Sequence, residues 1–156
     1  MPQRRFRQFT AEQPIALWSM VAVSAAVLVA FVVTEDLASA WPWLLLTLVL
    51  SDALLLIPIT LSVDGDAIRV SLAGVMHHDI PVTGIASVER RRYRPLRQFG
   101  GWGWRYGKAG SRQFAMAGSE AVVLTMMDGT EMYLGARDLD ALAAAVDDAR
   151  AGRVPR

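Results

Sequence analysis

Two apolar stretches, residues 15–34 and 41–61, constrain this chain more than anything else in it. The first, IALWSMVAVSAAVLVAFVVT, carries no charge over about twenty residues, the length an α-helix needs to cross a bilayer. The second, WPWLLLTLVLSDALLLIPITL, holds one acid, Asp52. Residues 35–40 between them leave room only for a tight turn. The pair reads as a transmembrane helical hairpin over 15–61, with spans at about 15–34 and 41–58, behind a polar cytoplasmic segment, 1–14. Pro58 disfavours helix at Ile57 and marks the end of the second span.

Charge orients the hairpin. Arg4, Arg5 and Arg7 precede the first span, Glu35 and Asp36 occupy the turn, and the chain beyond the second span is Arg-rich. Basic flanks stay inside, so both termini are expected in the cytoplasm. Trp18, Trp41 and Trp43 suit the interfacial aromatic belt, and Pro42 suits a first helical turn. Ala38-Ser39-Ala40 has the shape of a signal-peptidase site, but the apolar run exceeds the 7–15 residues of a signal peptide's core, which favours an uncleaved anchor. Ser19, Ala22, Ala26 and Ala30 place small residues on one face, where a second helix can approach. Asp52 falls at a depth similar to Ser19, so the pair is a candidate intramembrane polar contact, with Asp52 facing the first helix.

From Ile59 the apolar period changes to two. Ile59, Leu61 and Val63, a turn at Asp64-Gly65, then Ile68, Val70 and Leu72 predict a β-hairpin with one buried face. Further strands are expected over 75–82, 85–93, 102–106 and 112–116, then a second hairpin across Asp128-Gly129. Asp138 can cap a last helix with Leu139, Leu142, Ala143 and Val146 on one stripe and Gly152 past its end. About seven short antiparallel strands and one helix over 62–152, with a tail at 153–156, make an α+β arrangement. With no Cys in the chain, disulfides and thiolate chemistry are excluded.

The stretch YRPLRQFGGWGWRYG over 93–107 is similar to one in small bacterial membrane proteins that have two N-terminal helices and a pleckstrin-homology-like (PH-like) domain. Phe114, Gly118, Val122, Leu124, Asp128-Gly129 and Leu134-Gly135 extend the match. Ala136-Arg137-Asp138 departs from it ahead of the last helix, where those proteins often carry Ser or Gln and then Pro. The resemblance implies a PH-like antiparallel sandwich or barrel and a multi-pass place in a bacterial inner membrane. It transfers no catalytic residue.

The remaining motifs point away from catalysis. Gly100-Gly101-Trp102-Gly103 lacks the G-x-G-x-x-G spacing of a dinucleotide loop, and Gly107-Lys108 is followed by Ala109 where a P-loop needs Ser or Thr. His77 and His78 are strand neighbours that face opposite ways, so they cannot chelate one metal together. No metal, cofactor or nucleophile–base set is assembled. Arg90, Arg91, Arg92, Arg94, Arg97, Arg105, Lys108 and Arg112 follow one another without an intervening acid. The run reads as a solvated face or as a surface for anionic lipid headgroups. It has no stacking platform for nucleic acid. Trp102 and Trp104, at alternate positions, are either core or part of that surface. The reading is a membrane-anchored, non-catalytic PH-like interaction module. Its contact candidates are Arg90, Arg91, Arg92, Arg94, Arg97, Trp102 and Trp104. Its partners are membrane lipids, an unknown protein or further copies of itself. The alternative is a component of a membrane enzyme or transport system that uses Asp52.

Overall fold

The computed structural model describes the backbone of residues 4–9, 14–34 and 37–152 and, within the two long helices, the side chains of 18–29, 32, 41–43, 45–50 and 53. Two compact units result, Met1–Gln8 with Pro58–Arg156, and Phe9–Ile57.

The helical unit holds α1 (Pro14–Thr34) and α2 (Leu37–Leu55). The two pack on each other and leave a groove of about 220 Å³ lined by Ser24, Ala25, Val27, Leu28, Thr47 and Leu48. Ser19, Ala22 and Ala26, expected to form the close-approach face, are exposed. Pro42 lies inside α2, because that helix begins at Leu37. The Asp52 side chain and the Glu35–Asp36 turn lie outside the described residues, so the contact expected between Asp52 and Ser19 does too.

The transmembrane reading is corrected. Among the described residues no helix is long and apolar enough to cross a membrane. The spans at 15–34 and 41–58, the membrane anchoring and the inner-membrane topology with both termini inside therefore fall. Trp18, Trp41 and Trp43 are exposed residues of these helices.

The second unit is built from two sheets. One has the order β1-β2-β3-β4, from β1 (Arg4–Phe9), β2 (Pro58–Val63), β3 (Ala67–Leu72) and β4 (Met76–Pro81). The β2–β3 hairpin pairs Leu61 with Val70 and Val63 with Ile68, so the alternation seen in the sequence buries one continuous apolar face. The other sheet has the order β5-β8-β9-β7-β6. Its strands are β5 (Ile85–Arg92), β6 (Gly103–Tyr106), β7 (Arg112–Ala115), β8 (Glu120–Met126) and β9 (Glu131–Leu134). A short helix, α3 (Pro95–Phe99), interrupts the chain after β5. The closing helix, α4 (Leu139–Ala151), packs on β5 and β8 through Leu142, Ala145, Val146 and Ala149.

The PH-like sandwich of about seven antiparallel strands on a membrane hairpin is thus corrected on further counts. The first sheet takes an additional strand, β1, from residues that precede the helices, and β7 pairs with β9 in parallel. Short-range alternation shows neither feature, because both are pairings between segments far apart in sequence. Gln8 illustrates the first: it is buried, and its Oε1 accepts a hydrogen bond from the Met116 backbone N–H at 3.0 Å.

Candidate functional site

Strand β5 carries Arg90, Arg91 and Arg92, and alternation along a strand sends Arg91 to the opposite face from its neighbours. Both outer arginines reach Glu120 at the start of β8, the residue paired with Arg92 in the ladder. Arg90 donates to Glu120 Oε2 from Nη2 at 2.7 Å and to Asp140 of α4 from Nη1 at 2.9 Å, while Arg92 Nε donates to Glu120 Oε1 at 3.1 Å. These bonds, from Arg90 first and then Arg92, hold the Glu120 carboxyl below the usual carboxylate range. On the other face Arg91 donates to Glu131 Oε1 at 2.7 Å and to Glu89 Oε2 at 3.1 Å. The arginine run, acid-free when followed along the chain, is matched in space by acids from β5, β8, β9 and α4. Exposed pairs of this kind contribute about 0–1 kcal/mol each.

The basic residues that follow are different. Tyr93 ends the β5 extension in a cluster with Phe99, Ala121, Val123 and Tyr133, all buried. The Tyr93, Phe99 and Tyr133 rings meet one another at centroid distances of 5.1–6.1 Å. Pro95 opens α3 at a position where its missing N–H costs nothing, and Gly100, at φ 73°, ends it. Gln98 Oε1 accepts from the Arg94 N–H at 3.2 Å and secures the start of that turn. Burying Phe99 in the cluster therefore fixes where Arg94 and Arg97 emerge.

The turn between β6 and β7 closes on the same aromatic anchor. A Cβ on Gly107 would lie 2.6 Å from Phe99 Cε1 and would also collide with Ser111 Oγ, so only glycine lets the turn lie against the ring. Ser111 Oγ donates to the Lys108 carbonyl at 2.8 Å. The result is an open concavity of about 550 Å³ lined by Arg94, Arg97, Gln98, Phe99, Lys108, Ser111 and Tyr133. Three cations stand on its rim and no carboxylate is among its lining residues. The Tyr133 hydroxyl is itself oriented, donating to Glu131 Oε2 at 2.7 Å. That bond first, then Arg91, holds Glu131 below the usual carboxylate range, and burial raises the Tyr133 hydroxyl above its ordinary value.

The two tryptophans part company. Trp102 precedes β6 and donates from Nε1 to the Gly118 carbonyl at 2.7 Å. Trp104 packs edge-on against Phe114 at 4.9 Å and against His78 of β4 at 6.1 Å. His78 also stacks on Phe114 at 5.7 Å and lies 2.8 Å from Arg112 Nη1 through its Nε2. A guanidinium can only donate, so Nε2 accepts and the imidazole is neutral. His77 is exposed on the outer side of β4, and among the described residues no group of three His, Asp or Glu side chains could hold a metal ion.

Of the contact candidates read from the sequence, the concavity gathers Arg94 and Arg97. Arg90, Arg91 and Arg92 belong to ion-pair networks, Trp102 to a loop contact and Trp104 to the packing between sheets. Lys108 belongs to the basic run and Phe99 to the 93–107 stretch, but nothing in the sequence marks that the two meet, and Ser111 and Tyr133 carry no signal of the site. Neither a family model, nor a curated protein, nor a solved structure matches the chain.

Proposed function

We propose that the β-rich unit is a non-catalytic interaction module that engages a protein partner through the face built by α3 and the β6–β7 turn. The observation that carries this reading is the charge imbalance of the concavity, whose lining holds Arg94, Arg97 and Lys108 and no carboxylate. The arginines of β5 show how this chain supplies acids to a basic strand; the concavity is left for an outside group to neutralise. Two large exposed side chains are near chain neighbours of its lining residues. Leu96 of α3 and Tyr106 of β6 are 62% and 67% exposed, and arginine with tyrosine is the mixture that dominates binding energy at protein interfaces. The hydroxyl of Ser111 is engaged by a backbone carbonyl, so the site presents cations and ring edges in place of an activated nucleophile.

A photo-crosslinking side chain at Gln98, compared with one at the exposed Met127 of the β8–β9 turn, tests the reading in cells. A discrete crosslinked species from Gln98, absent from Met127 and lost in an Arg94→Gln/Arg97→Gln background, is expected. Equal labelling from both positions, or none from Gln98, would refute it.

A further inference from the structure

We propose that the group taken by this concavity is a phosphate monoester carried on a flat apolar moiety; the inference rests on the interaction reading above and names the chemistry the site recognises. Three features converge on it. Arg94, Arg97 and Lys108 bring three formal positive charges to one opening whose lining holds no acid. A carboxylate would answer one of them, whereas a phosphate monoester at neutral pH carries a charge of about −1.5 to −2 with three acceptor oxygens. Two planar guanidinium forks beside a mobile ammonium match that trigonal set of oxygens better than a single-charge ligand would.

Size gives the second feature. At about 550 Å³ the concavity is far larger than an inorganic anion, and lies within the range of small-molecule sites, about 300–1,000 Å³. Its base is the edge of the Phe99–Tyr133 pair, rings packed at 5.1 Å and 67° to each other. A carrier with a planar apolar face would fill the space that the phosphate leaves.

Preorganisation is the third. Phe99 is pinned by the Tyr93–Tyr133 cluster and by the close approach of Gly107, and the Tyr133 hydroxyl is held by Glu131. Glu131 is in turn bonded to Arg91, so the nearest acid of β9 is already neutralised and does not compete with the ligand for the rim cations. The cations themselves are exposed, so affinity is modest and depends on salt.

Calorimetric titration of the purified 156-residue chain with phenyl phosphate tests the proposal, with benzoate, phenol and inorganic phosphate as comparison ligands. Phenyl phosphate should bind more tightly than all three, and its affinity should fall when ionic strength is raised from about 0.05 to about 0.5 M. Arg94→Gln/Arg97→Gln should weaken it by about tenfold or more, the loss of charge-assisted hydrogen bonds. Arg69→Gln, on the other sheet, should leave it unchanged. A short phosphotyrosine peptide titrated alongside separates the two sources of such a group. Tighter binding than phenyl phosphate identifies a phosphorylated protein, and equal binding a small phosphorylated molecule. Absence of phenyl phosphate binding, or binding that survives the double substitution, overturns the phosphate assignment. If the Gln98 crosslink persists in that event, the interaction face stands and only its chemistry is wrong; loss of both removes the site altogether.

Discussion

A Cβ placed on Gly135 would lie 2.5 Å from the Ala115 Cβ, 2.8 Å from its Cα and 2.8 Å from Gln8 Oε1. Two of those three atoms cannot swing aside, because they belong to Ala115 at the end of β7. The third is held by the Met116 N–H. Gly135 therefore lies directly against the end of β7 and Gln8 of β1, and its N–H donates to the Phe114 carbonyl at 2.9 Å. Gly135→Ala should destabilise the β unit by about 1–3 kcal/mol, the usual penalty of forcing extra volume into a packed site. On thermal unfolding that is a fall in Tm of about 4–8 °C for each kcal/mol. An unchanged Tm would mean that the strands part without cost.

Helix α4 is held at its start by one side chain. Asp138 Oδ1 accepts from the Ala141 N–H at 2.8 Å, so Asp138→Ala should cost about 1 kcal/mol in chemical denaturation and Asp138→Ser should restore most of it. A deficit of similar size in both variants would locate the effect elsewhere than the cap. Between the two sheets, the contact of β4 with β6 and β7 runs through His78. Burial first, then the Arg112 guanidinium, lowers the His78 imidazole below the ordinary histidine value of about 6.5. Below that pH the unfolded chain binds a proton that the folded chain refuses, so stability is fully present above about pH 6.5 and declines as pH falls toward the folded value. Melting temperatures between about pH 7.5 and 5.5 should drop in the wild type and drop less in His78→Phe. Equal slopes for the two proteins would show that His78 is not the group responsible.

At the scale of the molecule, the β unit is discontinuous in the chain. Its first strand comes from residues ahead of both helices, and the remaining strands come after them. Removing residues 1–9 should leave the Met116 N–H without its Gln8 partner and expose the edge of β2. Loss of that hydrogen bond alone costs about 0.5–1.5 kcal/mol. Hydrogen exchange at the Met116 amide should accelerate in the truncated chain and slow again when a peptide of residues 1–9 is added. Protection that is unchanged by the truncation would separate β1 from the folded unit.

What the amino-acid sequence determined by itself is whatever rests on neighbours a few residues apart. The β2–β3 hairpin, with its Asp64-Gly65 turn, and α4, with its Asp138 cap, follow from local periodicity and local hydrogen bonding, although the buried face of α4 keeps only Leu142 and Val146 of the expected stripe and completes it with Ala145 and Ala149. Apolar length marked α1 and α2 as helices, but length along the chain does not decide what environment a helix meets, and the membrane assignment drawn from it did not hold. Charge failed in the same way. Arg90, Arg91 and Arg92 form an unopposed basic run along the chain, yet Glu120, Glu131 and Asp140 reach them across as many as 50 positions. The concavity belongs wholly to tertiary structure, since Arg97 and Lys108 share it only because Phe99 is buried against Tyr133 and Gly107 admits the turn. Coulomb attraction and close packing act through space, and sequence separation carries no information about either until the chain has folded.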